Sequence, residues 1–102
     1  MKIIIDSHNI EVTGAIKDHV YSCIQKLEHM NQSALEARIH LDRDHAGQIL
    51  NKYKCSMHLL LKGKDIYAED IEKDLYIAID LVTKKIQQQL RKQHNIKIMQ
   101  HR

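Results

Sequence analysis

Apolar residues recur along this chain in two rhythms. Lys2 to Ser7 is a short β-rich run. After Thr13, a residue type that favours helix N-caps, the spacing becomes helical. Ile16, Val20, Cys23, Ile24 and Leu27 share one side through Met30. Leu35 to Arg43 then alternates, with Ala37, Ile39 and Leu41 on one face and Glu36, Arg38, His40 and Asp42 on the other. Asp44-His45-Ala46-Gly47 reads as a turn. Tyr53, Cys55, Met57, Leu59 and Leu61 alternate with a polar face of Lys52, Lys54, Ser56, His58 and Lys62. Gly63-Lys64-Asp65 predicts a tight hairpin turn, and Ile66 to Asp70 a short return strand. A last helix starts between Asp70 and Asp74, where acids suit the positive end of the helix dipole. Leu75, Ile79, Val82, Ile86 and Leu90 form its core stripe. Ile77 and Leu81 lie opposite that stripe and are expected to pack on the first helix, and Asp80 and Lys84 stand in the favourable i, i+4 order. The order β-α-β-β-β-α predicts an α+β fold with two helices packed on one face of a four-stranded, mostly antiparallel sheet. The first crossover is expected to be right-handed and the other sheet face solvated.

Length and composition narrow the function. A chain of 102 residues, 43% hydrophobic and 28% charged, is expected to form one domain, residues 1–102. No apolar run approaches the ~20 residues of a membrane span. The start Met1-Lys2-Ile3-Ile4-Ile5-Asp6 is too short and too soon acidic for a signal peptide, so a cytoplasmic location and no membrane partner are expected. With no Pro, nothing forces a break inside an element. Cys23 and Cys55 are no disulfide framework, and both are expected as small buried hydrophobes.

Charge is the most uneven feature. From Leu81 to Arg102 there are six Lys or Arg and no Asp or Glu, whereas the first 80 residues hold ten basic and thirteen acidic side chains. A merely solvated helix normally mixes signs. A basic helix docked on a small domain suits a polyanion, which points to an RNA-binding module. With no Phe or Trp and four Tyr, the chain is poor in rings on which bases stack, so recognition should rest on phosphates and shape.

Catalytic and metal chemistry find little support. His8, His19, His29, His40, His45, His58, His94 and His101 show no H-x-x-x-H, no C-x-x-C and no close Cys/His pairing, so no metal site and no cofactor are expected. Asp42-Arg43-Asp44-His45 could mimic a charge relay, but it lies beside a turn with no nucleophile in a recognisable context. Three glycines, Gly14, Gly47 and Gly63, form no phosphate loop. No enzyme is expected.

Asp74-Leu75-Tyr76-Ile77-Ala78-Ile79-Asp80, followed by Lys85-Ile86 and Gln89-Leu90-x-Lys92, resembles the signature helix of the bacterial ribosome hibernation factors. These include the short hibernation-promoting factors and the ribosome-associated inhibitor, once described as sigma-54 modulation proteins. Ile10-Glu11-Val12-Thr13, leading into a helix that ends Lys26-Leu27-Glu28, fits as well. The resemblance covers nearly the whole chain and implies a function. Such proteins bind the decoding cleft of the small ribosomal subunit, contact its rRNA, overlap the A- and P-site tRNA positions and the mRNA path, and silence idle ribosomes in stationary phase or stress. Ending at His101-Arg102, the chain resembles the short type, which favours inactive ribosome dimers together with a separate modulation factor. The family pattern marks Lys26, Lys85 and Lys92 as rRNA-facing; helix geometry adds Lys84 and Arg91, and Gln88 stands where an Arg is common. Cys23 stands where the first helix often has a Lys. The alternatives are a general double-stranded-RNA binder, since two helices on one face of a sheet resemble the double-stranded-RNA-binding fold, and a protein-interaction regulator of transcription.

Overall fold

The computed structural model describes the backbone of residues 1–44 and 52–100 and the side chains of residues 1–43 and 52–93. The elements are β1 (Lys2–His8), α1 (Gly14–Met30), β2 (Ala34–Asp44), β3 (Lys52–Leu61), β4 (Lys64–Glu72) and α2 (Leu75–Gln100). The expected order holds. The sheet runs β1-β2-β3-β4, with β1 parallel to β2 and the other pairs antiparallel.

Local chemistry explains the boundaries. Thr13 caps α1: its hydroxyl accepts from the Ile16 amide at 3.3 Å, while Asn31, at the other end, donates its amide to the Leu27 carbonyl. Asp74 caps α2, accepting from the amides of Tyr76 at 2.8 Å and Ile77 at 3.4 Å. The β3–β4 hairpin pairs Leu61 with Lys64, so its loop is Lys62-Gly63 rather than the expected Gly63-Lys64-Asp65. Gly63, at φ +86°, supplies the left-handed residue that this two-residue loop needs. The shorter loop starts β4 two residues before the expected Ile66, because Lys64 and Asp65 join the ladder, and pairing of Ile71 with Lys54 and Glu72 with Tyr53 carries it two residues past the expected Asp70. The turn expected at Asp44–Gly47 lies, from His45 onward, outside the described residues.

The alternation of β2 and β3 places Ala37, Ile39, Leu41, Cys55, Met57 and Leu59 under the helices, each at most 1% exposed. From above, Val20, Ile24 and Leu27 of α1 and Ile79, Val82 and Ile86 of α2 close the same core. At roughly 25 cal/mol per Å² of apolar area removed from water, this single layer is the main favourable term in folding. Leu90 is the last core residue among the described side chains, yet α2 continues to Gln100. At 1.5 Å per residue, its 26 residues make a rod of about 39 Å.

One packing expectation fails. Ile77 is 49% exposed and does not pack on α1, while Leu81 is half-buried. The side of α2 that meets α1 is instead that of Tyr76 and Asp80, which lie about 100° around the helix from the core stripe.

Candidate nucleic-acid interface

The two helices lie side by side on the sheet and run in the same direction. His19 and Cys23 meet Asp80 near the start of α2, and Met30 shares a cleft with Leu90 farther along. Lys26, one turn beyond Cys23, is exposed on the side of α1 that turns toward α2. On α2, Lys84 and Arg91 stand two turns apart on the side away from the sheet, with Gln88 between them, and all three are exposed. Lys85 and Lys92 are also exposed but occupy the flank toward β4, where they share a groove with Tyr67, Glu69 and Gln89. The six expected residues thus divide into an outward row of Lys26, Lys84, Gln88 and Arg91 and a flank of Lys85 and Lys92.

Their electrostatic states differ. Among the described residues, no carboxylate lies within ion-pair distance of Lys26, Lys84, Arg91 or Lys92. Asp80, expected beside Lys84, directs its carboxylate at His19 Nε2 at 2.7 Å. The helix-to-helix partner is closer and better oriented than the flexible lysine a turn away. Lys85 is committed elsewhere: its ammonium is 3.3 Å from an Asp70 oxygen and donates to the Glu69 carbonyl at 2.8 Å. Gln89 donates likewise to the Tyr67 carbonyl at 2.9 Å. β4 is an edge strand, and these two side chains satisfy carbonyls that would otherwise offer a template for a further strand. Sequence reading missed this role; Lys85 and Gln89, four apart, were visible only as polar residues on a helix flank.

The opposite face of the sheet is a mosaic of pairs. His8 meets Asp42 at 3.3 Å, His58 meets Asp65 at 3.3 Å, and His40 hydrogen-bonds Asp6. Arg38 meets Glu36 at 2.7 Å and Lys54 meets Glu69 at 3.3 Å. The Tyr67 hydroxyl donates to Glu69 at 2.9 Å, which holds that carboxyl below its usual range, with help from Lys54. The same bond pushes the Tyr67 hydroxyl up.

Both thiols are buried, as expected. Burial pushes Cys55 up to about 12. Burial also raises Cys23, a hydrogen bond from Thr83 opposes that shift, and the Asp80 charge reinforces it. Here the sequence reading needs correction. His19 and Cys23 are four apart on one helix, a mixed Cys/His version of the H-x-x-x-H spacing, and Asp80 joins them across the helix seam. The cluster is hidden in the sequence because its two residue types on α1 differ and Asp80 lies 57 residues beyond Cys23.

Comparison with known proteins decides the family. The sequence profile described as Sigma 54 modulation protein / S30EA ribosomal protein matches residues 3–97. The chain belongs to this family. It is 37% identical over 93 residues to a ribosome hibernation promotion factor of Picosynechococcus, a match covering 90% of this chain and 48% of the relative. It is 33% identical over 101 residues to a ribosome hibernation promoting factor of Klebsiella oxytoca, covering 99% of this chain and all of the relative. The chain therefore spans about half of the one relative and the whole of the other. The crystal structure of the Thermus thermophilus Protein Y N-terminal domain superposes with a TM-score of 0.77 at 26% identity, over 90% of this chain and 98% of that one.

Within this family member, the stretch Asp74–Asp80 starts and docks the terminal helix. Asp74 caps it, Ala78 and Ile79 are fully buried, Tyr76 packs edge-on against His19 with ring centroids 5.1 Å apart, and Asp80 bonds His19. The residues that resemble the family's signature thus aim the basic row; they do not themselves supply its charge.

Proposed function

We propose that this protein is a ribosome hibernation factor that binds the decoding cleft of the small ribosomal subunit and blocks it sterically. The observation that carries the reading is the outward basic row on two parallel helices fixed to a rigid sheet, without acidic partners among the described residues. Family membership and the names of the relatives support the ribosome as the partner of that row. Lys26, Lys84 and Arg91 form the primary phosphate contacts, with Gln88 between them as a neutral hydrogen-bonding group. Arg91 can bind a phosphate in bidentate fashion and the lysines act as point charges. Lys85 and Lys92 extend the surface along the flank. Occupying a groove that tRNA and mRNA also use silences the ribosome with no bond made or broken, and inactive ribosome dimers form together with a separate modulation factor. Each phosphate neutralised releases counterions, so affinity falls with salt.

The test is cosedimentation with purified small subunits at two salt concentrations, with and without excess tRNA, alongside an unrelated RNA duplex. Stoichiometric binding that tRNA displaces, that salt weakens and that the duplex does not match is the expected result. Equal affinity for the duplex would reassign the protein as a general RNA binder. No binding at low salt would reject the ribosome.

A further inference from the structure

The seam between α1 and α2 holds three unlike ligand groups. His19 Nε2, Cys23 Sγ and an Asp80 carboxylate oxygen all lie within 4.8 Å of one another. His19 Nε2 is 2.7 Å from Asp80 Oδ1, and Cys23 Sγ is 3.7 Å from the same oxygen. We propose that these three side chains form a binding site for one divalent cation of the zinc class, with the fourth position open to water.

Distances, ligand chemistry, charge and access agree on that ion. Around tetrahedral Zn²⁺, with bonds of roughly 2.0–2.3 Å, neighbouring ligand atoms stand about 3.4–3.6 Å apart. The sulfur-to-oxygen distance already fits, and His19 Nε2 and Cys23 Sγ, within 4.8 Å, close by at most about 1.3 Å through a rotation of the half-buried imidazole. The imidazole-to-carboxylate distance is that of a hydrogen bond and opens by less than about 1 Å when the ion replaces the bridging proton. A thiolate and an imidazole select Zn²⁺ over Mg²⁺ or Ca²⁺, which prefer all-oxygen sites. On binding, the Cys23 thiol proton leaves to solvent and the sulfur becomes a thiolate ligand, while the bridging proton on His19 Nε2 is exchanged through solvent for one on Nδ1, so that neutral His19 coordinates through Nε2. Thiolate and carboxylate together cancel the two positive charges, so the nearby Lys26 ammonium meets no net repulsion. The ligands are held in place before any ion arrives. Cys23 is 3% exposed, the His19 ring rests edge-on against Tyr76, and both sit on one helix a turn apart. The Asp80 side chain is 51% exposed, which leaves an entry path and room for the fourth, water ligand. A bound ion would also cross-link the two helices that carry the basic row.

The test is titration of the full chain with Co²⁺, followed by displacement with Zn²⁺ against a chromophoric chelator. One tetrahedral Co²⁺ per chain is expected, with a thiolate-to-metal charge-transfer band that Zn²⁺ abolishes. Cys23→Ser should remove the band, and both Cys23→Ser and His19→Gln should weaken Zn²⁺ affinity at least about tenfold. Cys55→Ala and His58→Gln should leave band and affinity unchanged. Circular dichroism checks each fold, and His19→Gln, at a half-exposed position, keeps the test alive if the buried Cys23 variant unfolds. A wild-type chain without the band, a band that disappears in Cys55→Ala but survives in Cys23→Ser, or Zn²⁺ affinity untouched by His19→Gln would overturn the site. None of these results depends on ribosome binding.

Discussion

The two faces of this protein handle charge in opposite ways. On the open sheet face, five basic side chains stand next to acidic ones: Arg38 with Glu36, Lys54 with Glu69, and His8, His58 and His40 with Asp42, Asp65 and Asp6, while Lys2 and Lys52 have no carboxylate within ion-pair distance among the described residues. On the helical face, Lys26, Lys84, Arg91 and Lys92 have no carboxylate within ion-pair distance among the described residues. Both faces are exposed and both contain basic residues, so counting lysines would not separate them. Pairing does. A cation that already has a carboxylate must give up that partner to gain a phosphate, whereas an unpaired one gives up only water and counterions. The sheet face is solvated and largely self-compensated, and the row Lys26, Lys84 and Arg91 would give up no described carboxylate to meet a polyanion.

The largest expected effect breaks that comparison directly. Replacing Lys84, Lys85, Arg91 and Lys92 by Glu should abolish cosedimentation with small subunits while far-UV circular dichroism remains native. Replacing Arg38 and Lys54 by Glu on the sheet should leave binding within about threefold. Comparable losses from the two sets would end the distinction between the faces.

A second change removes both faces together. Ile86, fully buried between α2 and the sheet, should cost about 2–5 kcal/mol when cut to Ala, because the rigid layers around it cannot collapse into the cavity. Chemical denaturation measures this, and a loss under 1 kcal/mol would mean that α2 is not docked as described.

The buried thiol gives a smaller, pH-specific effect. Cys55 titrates near 12 in the folded protein against 9.0 for an ordinary thiol. Above pH 9 the unfolded chain sheds this proton while the folded chain keeps it. Folding stability should therefore fall as pH rises from 9 toward 12, by up to about 1.4 kcal/mol per pH unit from this group. Cys55→Ala should flatten that decline relative to the parent, and identical slopes in the two proteins would remove the effect.

The smallest effects sharpen the comparison residue by residue. Lys84→Gln should lower the slope of log affinity against log salt by about one phosphate contact. Lys85→Gln should lower it by less, since Asp70 and the Glu69 carbonyl already hold that ammonium. Equal slope changes would place Lys85 in the outward row. On the sheet, His58→Ala should change stability by no more than about 1 kcal/mol, as is usual for exposed pairs.

Much of the molecule was legible in one dimension because its causes are local. A period of 2 in Leu35–Arg43 and Tyr53–Leu61, and a period of 3.6 in Ile16–Leu27 and Leu75–Leu90, set which side chains face the core. Thr13 announced its own cap. The absence of acids after Asp80 marked the helical face before any fold was known. What stayed hidden depends on which element lies beside which. Asp80 could have paired with Lys84 four residues on; the neighbouring helix placed His19 closer. Ile77, apolar but opposite the stripe, is left exposed by the described elements. Lys85 reads as one more cation until the edge of β4, sixteen residues earlier, presents a carbonyl. His19, Cys23 and Asp80 become one cluster only across the seam. Periodicity and capping act within a few residues of backbone, so the sequence alone determined the elements, their buried faces and the sign of the terminal helix. Ion pairs, edge contacts and ligand clusters join side chains that are distant in sequence, so only the tertiary structure decided which cations remain free to meet a phosphate.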